Sequence, residues 1–359
     1  MDKEKERKEI YTTLFIRSLA IALVGIFVPA YLVTLGYSLS TALIFLIVTY
    51  MSYLVFSPIA AKVAHSRGLK STILISPFIT IAYLAALYGI KPYPGLLYPT
   101  AIIGGAASML FWVPMNAHFA ANTEKGHAGE ESGYFHIVGK LARIIGPLAG
   151  GLVIAAYGFG LLFAISAGLL ALCAAPLFLT KDSLIPLKHK ITFTKKNMHF
   201  AYVFAIQGIF SVCAAVVFPF YIYLQTSSFE STGFVMAAMG VGMLVSAIIA
   251  GKVSDKVGKH ETMRVAAVFS GLVWASAIFL QSAIALYVVS ALIGVSTVLL
   301  NIAIFGIFCD KTRVKKSKLA EHMVVREIGL NVGRIFIFGS MWVLLAYSFE
   351  LAFVLSAAS

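Results

Sequence analysis

The chain has 359 residues, of which 60% are hydrophobic and 12% charged, and a formal net charge of +13. Soluble domains run nearer half apolar and a quarter charged, so an aqueous enzyme, a disordered chain and a collagen-like fibre are excluded. One membrane-spanning helix takes about 20 apolar residues, so twelve would use roughly 240 and leave about 120 for short loops. The composition predicts an all-α, polytopic membrane protein.

The opening MDKEKERKEI is mixed in charge, and the first apolar run extends from Tyr11 to about Leu35. That is too long for the core of a signal peptide, so it reads as a retained first helix. Further spans are predicted near 40–63, 71–90, 96–120, 134–157, 159–180, 199–224, 232–252, 263–282, 285–309 and 326–347, with a final apolar piece from Phe349. Gly36, Gly68, the Lys91–Gly95 run KPYPG and Ser227-Ser228 punctuate the joints. Cys173, Cys213 and Cys309 fall inside apolar runs with no CxxC spacing. They read as small buried hydrophobes, and no metal or cofactor is expected.

With the N-terminus placed in the cytoplasm, 22 of the 28 Lys and Arg fall on that side and only Lys91 on the other. The positive-inside rule makes this the expected orientation. Anionic headgroups then account for the +13, and nucleic acid is not an expected partner. The expected location is the cell membrane, multi-pass, with the chain acting as a monomer.

A shift of 190 positions aligns the two halves without gaps. VPAY at Val28–Tyr31 meets FPFY at Phe218–Tyr221, and IAAKVAHSRG at Ile59–Gly68 meets IAGKVSDKVG at Ile249–Gly258. Gly139 meets Gly329 in the same register. Six spans per half give both halves one orientation, hence parallel repeats. The expected units are a six-helix bundle over 1–180, a basic central loop over 181–198 and a further bundle over 199–359. The counterpart of the sixth helix would end near residue 370, so the last helix reads as truncated.

Between the eighth and ninth spans stands Gly251-Lys-Val-Ser-Asp255-Lys256-Val-Gly258-Lys259, and in the fifth span Gly146-Pro147-Leu-Ala-Gly150-Gly151. With the six-plus-six repeat, these make the whole chain resemble the major facilitator superfamily. The Gly251–Lys259 segment matches the family's inner-loop motif, and the Gly146–Gly151 segment resembles the core of its antiporter-associated motif. The first-half loop departs from the pattern, with His65 where the family places Asp. The resemblance implies an alternating-access carrier whose first, fourth, seventh and tenth helices line a central cavity. It also implies that each inner loop latches onto the opposite half. Asp255 would then face Lys140 on the fifth helix, and His65 would face Glu327 on the eleventh. Arg143 and Arg334 are counted with this latch.

Charges inside a bilayer are expensive and usually functional. Arg17 lies six residues after Tyr11, about 9 Å into the first helix. It reads either as a cavity cation for an anionic substrate group or as a snorkelling side chain. Gln207 is its counterpart in the seventh helix, and Asn301 is level with Phe111. Asn116, Asn301 and Trp112 are candidate substrate contacts, or helix–helix packing and hydrogen-bonding groups. Tyr31 and Tyr221 read either as gates of the outer mouth or, as tyrosine's enrichment there favours, as interfacial anchors. No Asp or Glu occurs between Glu9 and Glu124, so a coupling proton, if one is used, would fall to His118 or His136. Another coupling ion or none stays open. No HExxH, phosphate loop or catalytic triad is present. The expected function is secondary transport of a small organic solute, as efflux of a drug-like compound or of an organic anion. A non-transporting sensor on the same fold is the alternative.

Overall fold

The computed structural model describes residues 3–122, 128–178, 195–278, 282–313, 319–344 and 348–358. Among them every regular element is helical. The helices are α1 (Lys3–Val24), α2 (Val28–Thr34), α3 (Leu39–Arg67), α4 (Leu69–Gly89), α5 (Leu97–Asn122), α6 (Ala128–Ala174), α7 (Lys195–Val212), α8 (Phe218–Thr226), α9 (Phe229–Val257), α10 (Lys259–Ala277), α11 (Ala283–Arg313), α12 (Leu319–Val343) and α13 (Ser348–Ala358).

Three of these differ from the expected spans for backbone reasons. The first span is interrupted by a 3₁₀ turn over Gly25–Phe27, and the seventh by a π-turn over Cys213–Val217. Pro29 and Pro219 follow directly, 190 positions apart. A proline has no N–H for the carbonyl four residues back and crowds it, so the ladder tightens in one half and widens in the other. The fifth and sixth spans form one run, α6, broken only at Gly158 with φ +78°. That left-handed value is open to glycine and strained for a residue with a Cβ, so one residue takes the place of a loop.

Helix contacts repeat between the halves. In the first, α1 packs on α6, α3 and α4 on α5, and α4 on α6. In the second, α7 packs on α12, α9 and α10 on α11, and α10 on α13. The inner-loop glycines Gly68 and Gly258 have φ of +101° and +96° and each precedes the next helix. The short α13 is held by Phe353, whose ring lies 5.6 Å from that of Trp274 and 6.2 Å from that of Phe218.

Two seams join the halves, α3 with α12 and α6 with α9. The first runs from a Trp342 Nε1–H bond to Ser40 Oγ (2.8 Å) through the stacked rings of Tyr50 and Phe338 to Val324 against Ala60 and Ala61. The other depends on Gly151 of the fifth span, while Gly146 and Gly150 press α6 on α1 within the first half. A Cβ on Gly146 would lie 2.5 Å from Ala22 Cβ, and Cβ atoms on Gly150 and Gly151 would strike the carbonyl oxygens of Leu23 and Phe229. Small residues permit this approach, and in lipid van der Waals packing drives helix association. Gly150→Ala is therefore expected to destabilise the protein by about 1–3 kcal/mol. Gly139→Ala, with nothing within 4 Å of its added carbon, is expected to be neutral or stabilising by up to about 1 kcal/mol. Thermal unfolding in detergent measures both; equal effects would refute the packing account.

Candidate substrate site

Arg17 comes from the first third of the Glu9–Thr34 span and is 3% exposed. Its guanidinium carbon stands 3.7 Å from the Phe111 ring centroid and 5.8 Å from that of Trp112. Trp112 meets Phe111 edge-on at 5.2 Å. Arg17 Nε is buried with no hydrogen-bond partner, and none of the described carboxylates forms an ion pair with this side chain. Cation–π contact supplies about 2 kcal/mol when desolvated, against several kcal/mol for burying the charge. A snorkelling arginine keeps its head in water; this one is buried against two rings.

The repeat places the corresponding residues of the second half in the same contact. Gln207 and Asn301 stand where Arg17 and Phe111 stand, 190 positions on. Gln207 Nε2 donates to Asn301 Oδ1 at 2.6 Å, and Gln207 Oε1 is buried without a partner. Asn116 is buried one turn beyond Trp112, and His118 is buried near the same end of α5. The aromatic candidates of α5 thus meet the arginine of α1, and the amides of α7 and α11 meet each other.

Arg143 and Arg334 stand elsewhere than expected. Arg143, Gly146, Pro147 and Gly150 share one face of α6. That face is pressed on α1 through Ala22 and Leu23 and on α9 through Gly233. Arg143 continues it by one turn and is exposed there. Arg334 lies 15 residues into α12, about 22 Å along its axis. Its guanidinium carbon is 5.4 Å from the Tyr50 ring centroid, and Nη1 donates to Asn331 Oδ1 at 2.9 Å. Neither Arg143 nor Arg334 has an ion pair among the described residues. Arg334 thus stands deep in its helix on Tyr50 rather than near an inner loop.

The latch between His65 and Glu327 is also corrected. Glu327 is buried and accepts from Arg326 Nη1 at 2.6 Å, while His65 is exposed. An adjacent arginine offers a shorter path to charge compensation than an imidazole on the other half. The side chains of Lys140, His136 and Asp255 lie outside the described residues. Tyr31 is no interfacial anchor: it is 5% exposed, packs on Phe159 and Phe163, and donates to the Leu87 carbonyl at 3.2 Å. A further buried ion pair, Lys70 Nζ with Glu9 Oε2 at 3.4 Å, ties α4 to α1. Sequence reasoning assigned Glu9 to the tail, because the span itself starts two residues later. The charge of Lys70 at the head of α4 was the available signal.

Two six-helix-type halves related by a repeat, with polar and cationic groups gathered between them at mid-span, define a carrier-type membrane protein. The chain belongs to the Major Facilitator Superfamily, whose sequence profile matches residues 10–310. Among characterised proteins it is similar to the multidrug resistance protein MdtG of Escherichia coli (strain K12 / DH10B), with 25% identity over 305 residues, 78% of this chain and 73% of that one. Among solved structures it is similar to the nucleoside transporter NupG (TM-score 0.71, 13% identity, 98% of this chain and 95% of that one). It is also similar to a bacterial homologue of the iron transporter ferroportin in an outward-facing state (TM-score 0.72, 12% identity, 98% and 96%). The two structural likenesses are likenesses of fold.

Proposed function

We propose that this transporter exports small organic anions by alternating access across the cell membrane, with its N-terminus on the cytoplasmic side. The observation that carries the reading is Arg17: a buried guanidinium on two aromatic rings, with no carboxylate of the described residues against it. An anionic group of a substrate supplies the missing charge, and the rings of Phe111 and Trp112 supply apolar surface for its body. The buried Gln207–Asn301 pair in the second half offers neutral hydrogen-bonding groups. The two halves rock about this site, and the substrate drives the cycle by binding the two states with different affinity. Export is supported by the likeness to MdtG, a multidrug resistance protein.

The test is a thermal-shift screen of the purified protein against organic anions, lipophilic cations and neutral solutes. A true ligand at 100 times its Kd adds about 2.7 kcal/mol of stability. Stabilisation by anions followed by their flux in proteoliposomes is the expected result. Stabilisation by lipophilic cations alone would overturn the anion reading.

A further inference from the structure

We infer that the anionic group of the substrate is a carboxylate or sulfonate gripped at two oxygens, by the Arg17 guanidinium and by the hydroxyl of Thr13 one turn earlier on α1. The inference rests on the anion reading above and adds to it a second ligand and the shape of the group.

Thr13 and Arg17 are four residues apart in the unbroken helix α1. They therefore share a face, about 6 Å apart along the axis. Side chains of a helix lean towards its N-terminus, which carries the Arg17 side chain back over the turn that holds Thr13. Thr13 is fully covered, its hydroxyl has no hydrogen-bond partner, and Arg17 Nε lacks one too. Other threonines of the helices behave differently. Thr49, Thr72, Thr80 and Thr262 each donate to the carbonyl four residues back, the usual resort of a threonine inside a helix. Thr100 and Thr297 share the lack of a partner with Thr13, but neither has a cation one turn away. Buried donors left open cost free energy. Two of them a turn apart on one face make a site for a group that accepts from both.

The surroundings suit that use. As the fourth span, α5 runs opposite to α1, so with Phe111 under Arg17 its Met115 comes level with Thr13. Ile10, Leu14, Phe111 and Met115 are buried in one apolar cluster. The donors thus stand in dry surroundings, where charge-assisted hydrogen bonds are strong. The next acid along this face, Glu9, lies a turn further in and is held by Lys70 of α4. A carboxylate or sulfonate presents one oxygen to the guanidinium and another to the Thr13 hydroxyl.

Three variants of the full chain in detergent test the inference, with benzoate and benzenesulfonate as probes. Kd is read by microcalorimetry, and stability by thermal unfolding without ligand. Thr13→Val keeps the shape and removes the hydroxyl. It is expected to bind both probes about tenfold or more weaker, the worth of a hydrogen bond to a charged group. Its unliganded stability should equal or exceed that of the parent, since no protein partner is lost. Thr13→Ser, which keeps the hydroxyl, should bind within about threefold of the parent. Thr13→Ala should lose affinity as Thr13→Val does, and it guards against a misfit of the branched side chain. Pentafluorophenolate, whose charge rests on one oxygen, should lose less than benzoate on Thr13→Val; an equal loss would overturn the two-oxygen grip. Undiminished probe binding by Thr13→Val, or lower stability with binding lost equally in Thr13→Ser, would overturn the role of Thr13 and leave the Arg17 reading standing. Binding of neither probe by the parent protein would overturn both.

Discussion

Arg17→Met is expected to make the unliganded protein more stable and to make anion transport fail. Both halves of that result follow from one fact, a guanidinium that is 3% exposed and has no anionic partner among the described residues. A buried charge without compensation is a standing penalty on the folded state, only partly offset by the rings of Phe111 and Trp112. Methionine fills similar volume, keeps contact with both rings through its sulfur and removes the charge. Replacing buried charge by apolar groups has stabilised proteins by about 1–4 kcal/mol, and a gain in that range is expected in thermal unfolding. Truncating one partner of a buried charge pair costs about 2–5 kcal/mol of binding, so anion affinity should fall about 30-fold or more. A purely structural arginine would show the opposite pattern, lower stability with activity falling alongside. The combination of higher stability and lost transport is the signature of a group kept strained for function.

How much of this was open to reading from the sequence depends on whether the signal was periodic or spatial. The repeat was legible because the same backbone device recurs at the same register. Pro29 and Pro219 disturb their helices, and Gly68 and Gly258 take positive φ. Arg17 stood out because a charge in an apolar run is rare whatever surrounds it. The repeat made Gln207 and Asn301 legible as the counterparts of Arg17 and Phe111, but not that each pair is in contact, which only the structure shows. The roles of Arg143 and Arg334 were not legible. Both lie in helices that also carry charges near their ends, and nothing in one helix says which neighbour its charged face meets. Tyr50 of α3 settles it for Arg334. Glu327 misled for a related reason. Its buried partner is the adjacent Arg326, while a symmetry argument pointed across to the other half.

The central cations also set how the cycle runs. Net transport requires the carrier to return empty, and here an empty return means closing around Arg17 and Arg334 with no carboxylate of the described residues paired to them. Closure lowers the local dielectric and raises the cost of a buried, uncompensated charge. A bound anion removes that penalty, so the loaded carrier should cross more readily than the empty one. Each 1.4 kcal/mol of difference in the barrier is a tenfold difference in rate. Uptake of a labelled anion into proteoliposomes preloaded with the same unlabelled anion should therefore exceed uptake into empty ones by about tenfold or more. Replacing Arg334 by glutamine lightens the empty carrier's burden and should narrow that ratio, even where affinity falls. Equal uptake with and without internal anion would mean that the empty carrier reorients freely, and the charges would then have to be neutralised by some other group as the halves close.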